Sequence, residues 1–137
     1  MGRTNLADSN EFVPYDIAKL LYDKGIKCKS LACYTKTNYL LPSVTYLDTD
    51  DFRNTIGVID LYAAPTYQTA LAELRKMGIS IMIDKDFATE KGWHYFIEVD
   101  NDFENPILQE SNGRTYEMAQ YDALKYALTK LINKKVV

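Results

Sequence analysis

The chain has 137 residues, 47% of them hydrophobic and 26% charged, with a net charge of −3. It is the size of one domain and large enough to fold without a disulfide or metal, and its ordinary globular composition excludes long-range disorder. No apolar stretch approaches the length that spans a bilayer.

Residues Met1 to Glu11 are mostly polar and lack the apolar run of a signal peptide, so they are expected to form a flexible N-terminal segment. Met1-Gly2 opens like a myristoylation site, but Leu6 stands where Ser or Thr is required. With no export signal, Cys28 and Cys33 are expected to be reduced thiols in the cytoplasm. The expectation is a single domain over 1–137.

A first helix is predicted from about Pro14 to Lys24, with proline in its first turn, Asp16 at the positive end of the dipole and Gly25 as its cap. Ile17, Leu20, Leu21 and the stem of Lys24 share one face. Leu31 to Lys36 reads as a strand, and Val58 to Tyr62 as another. Between them, Val44 to Leu47 suits a further short strand, and a structureless Thr37–Gly57 is too long for a compact domain. A second helix is predicted from Pro65 to Met77, with Ala70, Leu71, Leu74 and Met77 as its apolar stripe and Gly78 at its end.

Ile79 to Asp84 and Trp93 to Val99 alternate as strands, and the loop from Lys85 to Gly92 suits an antiparallel hairpin. Ile79, Ile81, Ile83, Tyr95, Ile97 and Val99 are expected to face the helices. Residues Asp100 to Arg114 form a loop carrying Pro106 and the turn pair Asn112-Gly113. A third helix runs from about Glu117 to Asn133, with Tyr121, Leu124, Leu128, Leu131 and Ile132 on its apolar side. The fold class is α+β, a two-layer sandwich with a mainly antiparallel sheet of about four strands and three helices, ordered α-β-(β)-β-α-β-β-α.

The chemistry-bearing residues are sparse. The six glycines are dispersed, which excludes a glycine-rich phosphate loop. Two cysteines and one histidine fall short of a zinc site, since Cys28, Cys33 and His94 still need a carboxylate. Asp48, Asp50 and Asp51 begin like a calcium loop, but Phe52 and Arg53 occupy the next ligand and glycine positions. Asp100, Asp102 and Glu104 alternate well, yet Asn105 replaces the glycine and Ser111 the closing glutamate; loose cation binding there stays open. No metal or other cofactor is expected. His94 lies in an aromatic strand without a nucleophile elbow, so a structural or surface role is preferred over catalysis.

Charge is uneven along the chain. Residues 1–40 carry six Lys/Arg against four Asp/Glu, residues 41–110 five against thirteen, and residues 111–137 five against two. Lys24, Lys27, Lys29 and Lys36 cluster around Tyr34, a pattern that can stack bases and pair phosphates. The acidic middle would repel a polyanion, so a protein partner or a homo-oligomer ranks above nucleic acid.

Tyrosine is the compositional oddity, with eleven residues. Tyr15 and Tyr67 each follow closely on a helix-opening proline, where Ser, Asp or Glu would start the helix as well. Gln68 offers a donor and an acceptor, and Trp93 opens the strongest aromatic strand. Tyr15, Tyr67, Gln68 and Trp93 are therefore the candidate binding residues; ordinary packing across a helix–sheet seam is the alternative.

Phe12-Val13-Pro14-Tyr15-Asp16-Ile17-Ala18 with Leu20-Leu21 and Gly25 resembles the opening of small proteins of unknown function from Bacteroides-type gut bacteria and their prophages. Ala64-Pro65-Thr66-Tyr67-Gln68-Thr69-Ala70 with Leu74-Arg75 resembles their second helix, and Tyr116-Glu117 with Ala119, Ala123 and the last leucines their ending. The resemblance covers most of the chain outside Thr37 to Gly57. It departs where the family often carries Trp and this chain has Glu73 or Leu74. It implies a setting, prophage or mobile-element cargo inside the bacterial cell, and no mechanism. The expected function is a small accessory or protein-interaction module. The rivals are a minor hydrolase or transferase using His94 and a nucleic-acid-associated regulator using the basic chain ends.

Overall fold

The computed structural model describes residues 11–85, 92–100, 107–111 and 115–132. The fold class is α+β: the described residues form four α-helices and two three-stranded antiparallel sheets. The sequence suggested about four strands in one sheet; among the described residues there are six, divided between two. The chain splits into two compact units, Met1–Glu73 with Lys134–Val137, and Leu74–Asn133. Among the described residues no helix is long and apolar enough to cross a membrane. The N-terminal segment expected to be flexible lies, up to residue 10, outside the described residues.

In the first unit, helix α1 (Tyr15–Asp23) starts one residue later than expected, because Pro14 is its extended N-cap at ψ 170°. Ile17, Ala18 and Leu21 are buried, while Leu20 is only half-buried. Gly25, at φ 79°, takes the left-handed turn that ends it, and Ile26 N–H returns to Leu21 C=O at 2.9 Å.

Strands β1 (Ser30–Tyr34), β2 (Leu40–Leu47) and β3 (Tyr62–Ala63) form a sheet in the order β2-β1-β3. Asn38, at φ 67°, makes the β1–β2 turn, a conformation asparagine tolerates. The β1–β2 register then breaks. Ala32 faces Pro42 but Ser30 faces Leu47, so residues 43–46 bulge out of the ladder. On the β3 side of β1 the Ser30 hydroxyl donates to Ala64 C=O and accepts from Ala32 N–H. The strand expected over Val58–Tyr62 is a correction. Only Tyr62 and Ala63 pair with β1, and Val58 and Ile59 are exposed. The chain leaves a helix at Gly57 and reaches the sheet only at Tyr62.

That helix, α2 (Thr49–Ile56), occupies the stretch whose structure the sequence left open. The aspartates that resemble the start of a calcium loop are its capping box. Asp51 N–H donates to Asp48 Oδ1 at 2.9 Å, and Asp48 N–H reaches Asp51 Oδ2 at 3.5 Å. Gly57, at φ 83°, closes the other end. Phe52 turns inward against Cys33, Leu61 and Ala63, and buried Thr49 Oγ1 accepts from Ala63 N–H at 2.9 Å.

Helix α3 (Tyr67–Lys76) passes from the first unit into the second. It starts two residues past Pro65, with Thr66 Oγ1 accepting from Thr69 N–H. Ala70 and Leu74 are fully buried, whereas Met77 lies past the helix end and is exposed.

The second unit holds β4 (Ile79–Lys85), β5 (Trp93–Val99) and β6 (Ile107–Glu110), in that order across an antiparallel sheet. The expected antiparallel pairing of β4 and β5 is present, and its ladder runs from Ile79 opposite Val99 to Lys85 opposite Trp93. Helix α4 (Tyr116–Tyr126), capped by Thr115, packs on β4 and β5. Its inward ridge is Ala119, Ala123 and Ala127 beside Leu124 and Leu128, all fully buried; Tyr121 and Leu131 are half-buried. Alanines four apart let a helix lie close to a sheet. The chain continues as one π-helical stretch, Ala127–Leu131, where the Thr129 hydroxyl bonds Lys125 C=O at 2.8 Å.

Candidate functional site

Tyr15 and Tyr22 lie one helical repeat of seven apart on α1, so both rings project from one side of that helix. Tyr62 on β3 receives both, edge to face, at 5.8 and 5.7 Å, and Tyr15 also meets Tyr34 of β1 at 5.9 Å. Arg53 of α2 lies over this group, 4.5 Å from the Tyr22 ring and 5.1 Å from that of Tyr62. Its Nε donates to Leu61 C=O at 3.0 Å and its Nη1 to the Tyr22 hydroxyl at 3.2 Å. Three secondary-structure elements are thereby tied by one guanidinium. Four of the eleven tyrosines lie in this seam.

Tyr34 is buried, and its hydroxyl donates to Val13 C=O at 2.7 Å. Burial, with Asp16 nearby, pushes its phenol above the ordinary value. The ring that could stack bases amid Lys24, Lys27, Lys29 and Lys36, a reading ranked below protein binding, is thus a packing residue. Cys33 is fully buried and its thiol is pushed up to about 11 by desolvation, the condition of an inert structural cysteine.

A small cleft of about 20 Å³ opens beside the cluster, lined by Tyr22, Ile26, Cys28 and the start of α2. It has room for about one water. Among the described residues no group of three His, Cys, Asp or Glu side chains is placed to hold a metal ion. Residues 101–106 of the alternating acidic loop lie outside the described residues.

Of the four candidate binding residues, Tyr15 belongs to the tyrosine seam and Tyr67 is buried, while Gln68 is exposed on α3. Trp93 belongs to the second unit. There it meets Tyr116 edge to face at 5.7 Å, and the Lys85 ammonium lies 5.0 Å above its ring. His94 is on the sheet face opposite to Trp93, with Asp84 and Glu110 as its cross-strand neighbours in register. The Asp84 carboxylate accepts from Lys85 N–H at 2.9 Å.

The most exposed large apolar residue of those described is elsewhere. Val44 is 99% exposed and Tyr46 65%, both on the bulge of β2, which the Ser43 hydroxyl braces by donating to Thr45 C=O at 2.9 Å and accepting from Thr45 N–H at 3.2 Å. Tyr39, Ile56, Val58 and Ile59 are exposed in the same part of the chain. Sequence reasoning missed this surface. Its one signal is Pro42 followed by Ser-Val-Thr-Tyr, a β-rich run with a ladder-breaking residue at its head. Comparison of the chain with protein-family models, curated proteins and solved structures finds no match.

Proposed function

We propose that this chain is a protein-interaction module that presents the β2 bulge to a partner. The observation that carries the reading is the near-complete exposure of Val44 with Tyr46 on a short, braced excursion from a sheet. Apolar side chains held rigidly in water gain most by being covered, and tyrosine is enriched where partners anchor. The setting, cytoplasmic cargo of a phage or mobile element, rests on the resemblance of the first, third and last helices. A protein partner is preferred over nucleic acid because the net charge is −3 and Tyr34 is withdrawn from the lysine cluster.

The test is affinity purification of the tagged chain from host cells, beside a V44D/Y46S double variant. The expected result is a stoichiometric partner whose affinity falls at least about tenfold in the variant, with an unchanged melting curve. Equal recovery of the same partners by both proteins would overturn the reading.

A further inference from the structure

Open sheet edges invite pairing, and natural proteins guard them with short strands, proline, bulges or lysine. Three of the four edges formed by the described strands are guarded in this way. Strand β3 has two residues, β6 has four, and β2 carries Pro42 and a bulge. Strand β4 differs. It is seven residues long, pairs continuously with β5, and has no charge or proline from Ile79 to Ile83. No other described strand lies beyond it.

The cover over β4 is also incomplete. Ile97 and Tyr95 on β5 are buried, but their cross-strand partners Ile81 and Ile83 remain partly open, and Met82 on the other face is 53% exposed. We propose that β4 is the contact at which two copies of this chain pair, antiparallel, to give one six-stranded sheet. This goes beyond the interaction reading above and uses a different surface.

Several even registers avoid facing like charges, among them one centred on Ile81, but only the one centred on Met82 overlaps all seven residues of β4. Odd offsets would set the isoleucine face of one copy against the polar face of the other. Among even offsets, placing Met82 opposite Met82 of the second copy overlaps the whole of β4. It puts Ile81 beside Ile83, covering the half-open middle of the apolar face, with the Lys85 stem opposite Ile79 at each end. Asp84 then meets the Ser80 hydroxyl. Shifting the register toward the strand's end to centre it on Asp84 would face two carboxylates. Aligned so, the cross-strand row of exposed Met82, half-buried Phe96 and exposed Leu108 of each copy continues into that of the other.

The test is sedimentation equilibrium of the full chain and of M82K, M82E and their mixture. Met82 is exposed, so the monomer tolerates these changes, and circular dichroism checks that it does. The wild type is expected to be a dimer; each single variant weakens association about 100-fold through facing like charges. The equimolar mixture regains a dimer, because lysine then faces glutamate across the two-fold. The V44D/Y46S variant stays dimeric, which separates this inference from the partner reading. A wild type that is monomeric up to ~1 mM, a dimer untouched by M82K, or a mixture that fails to reassociate would overturn it.

Discussion

Arg53 shows how a single side chain organises the first unit. Its guanidinium lies over two tyrosine rings while donating to a backbone carbonyl and a phenol, a task suited to a flat fork of donors. Lysine keeps the charge but not the fork. R53K is therefore expected to lower stability by about 1–2 kcal/mol in urea titration, and an unchanged midpoint would show that the stack contributes nothing. Cys33 yields a pH prediction. Its thiol titrates near 9.0 ordinarily and at about 11 in the fold, so between those values the native state holds a proton that the unfolded chain has released. Stability is then fully present below about pH 9 and falls as the pH rises toward 11. Tyr34 and Tyr95 are raised by burial too and act in the same direction, so the slopes are compared between wild type and C33A. A shallower slope in C33A is expected; identical slopes would mean that Cys33 ionises without unfolding the chain.

At the level of elements, the last helix makes the firmest demand. Leu128 has no exposed surface and sits in the π-helical stretch, where the altered winding fixes its direction. L128A is expected to cost about 2–5 kcal/mol by chemical denaturation, and a loss below about 1 kcal/mol would mean that the stretch repacks freely. This helix also shows how far sequence reading reached. Leucines at helical spacing revealed Leu124 and Leu128, but the alanine ridge passed unnoticed, because alanine suits any helix face and signals burial only when its neighbours are known. The β4–β5 pair was legible for the opposite reason: strict alternation assigns the isoleucines to one face, and a connection of eight residues, Lys85 to Gly92, is too short for a parallel crossover. Helix α2 was hidden by Asp48, Asp50 and Asp51, whose spacing serves a capping box as well as it mimics a calcium loop. The division into two sheets was not legible, since alternation assigns faces and says nothing about which strands share a ladder. Tyr15 was singled out because an aromatic in a first turn needs a tertiary reason, and the tyrosine seam supplies one. Val44 was passed over because a valine between Ser43 and Thr45 reads as any strand residue until a register break turns it outward.

For the whole molecule, the question is what holds 137 residues folded. Small chains lean on disulfides or metals when their cores are meagre, whereas a chain of this length has surface enough to bury. Here the apolar core is distributed: Ile17, Leu21, Cys33 and Phe52 lie at the centre of the first unit, Ile97, Leu124 and Leu128 at that of the second. Both cysteines are buried free thiols, and Cys33 packs as an apolar side chain against Phe52 and Leu61. A reductant then has no bond to break. Among the described residues no group of three His, Cys, Asp or Glu side chains is placed to hold an ion that a chelator would remove. The thermal midpoint is accordingly expected to be the same, within about 1 °C, with and without EDTA and with and without dithiothreitol; a 1 kcal/mol loss would move it by roughly 3–5 °C for a chain of this size. A chelator-sensitive midpoint would place an ion among the acidic residues after β5. A reductant-sensitive one would mean that the two thiols are joined in solution, which the packing of Cys33 against Phe52 opposes.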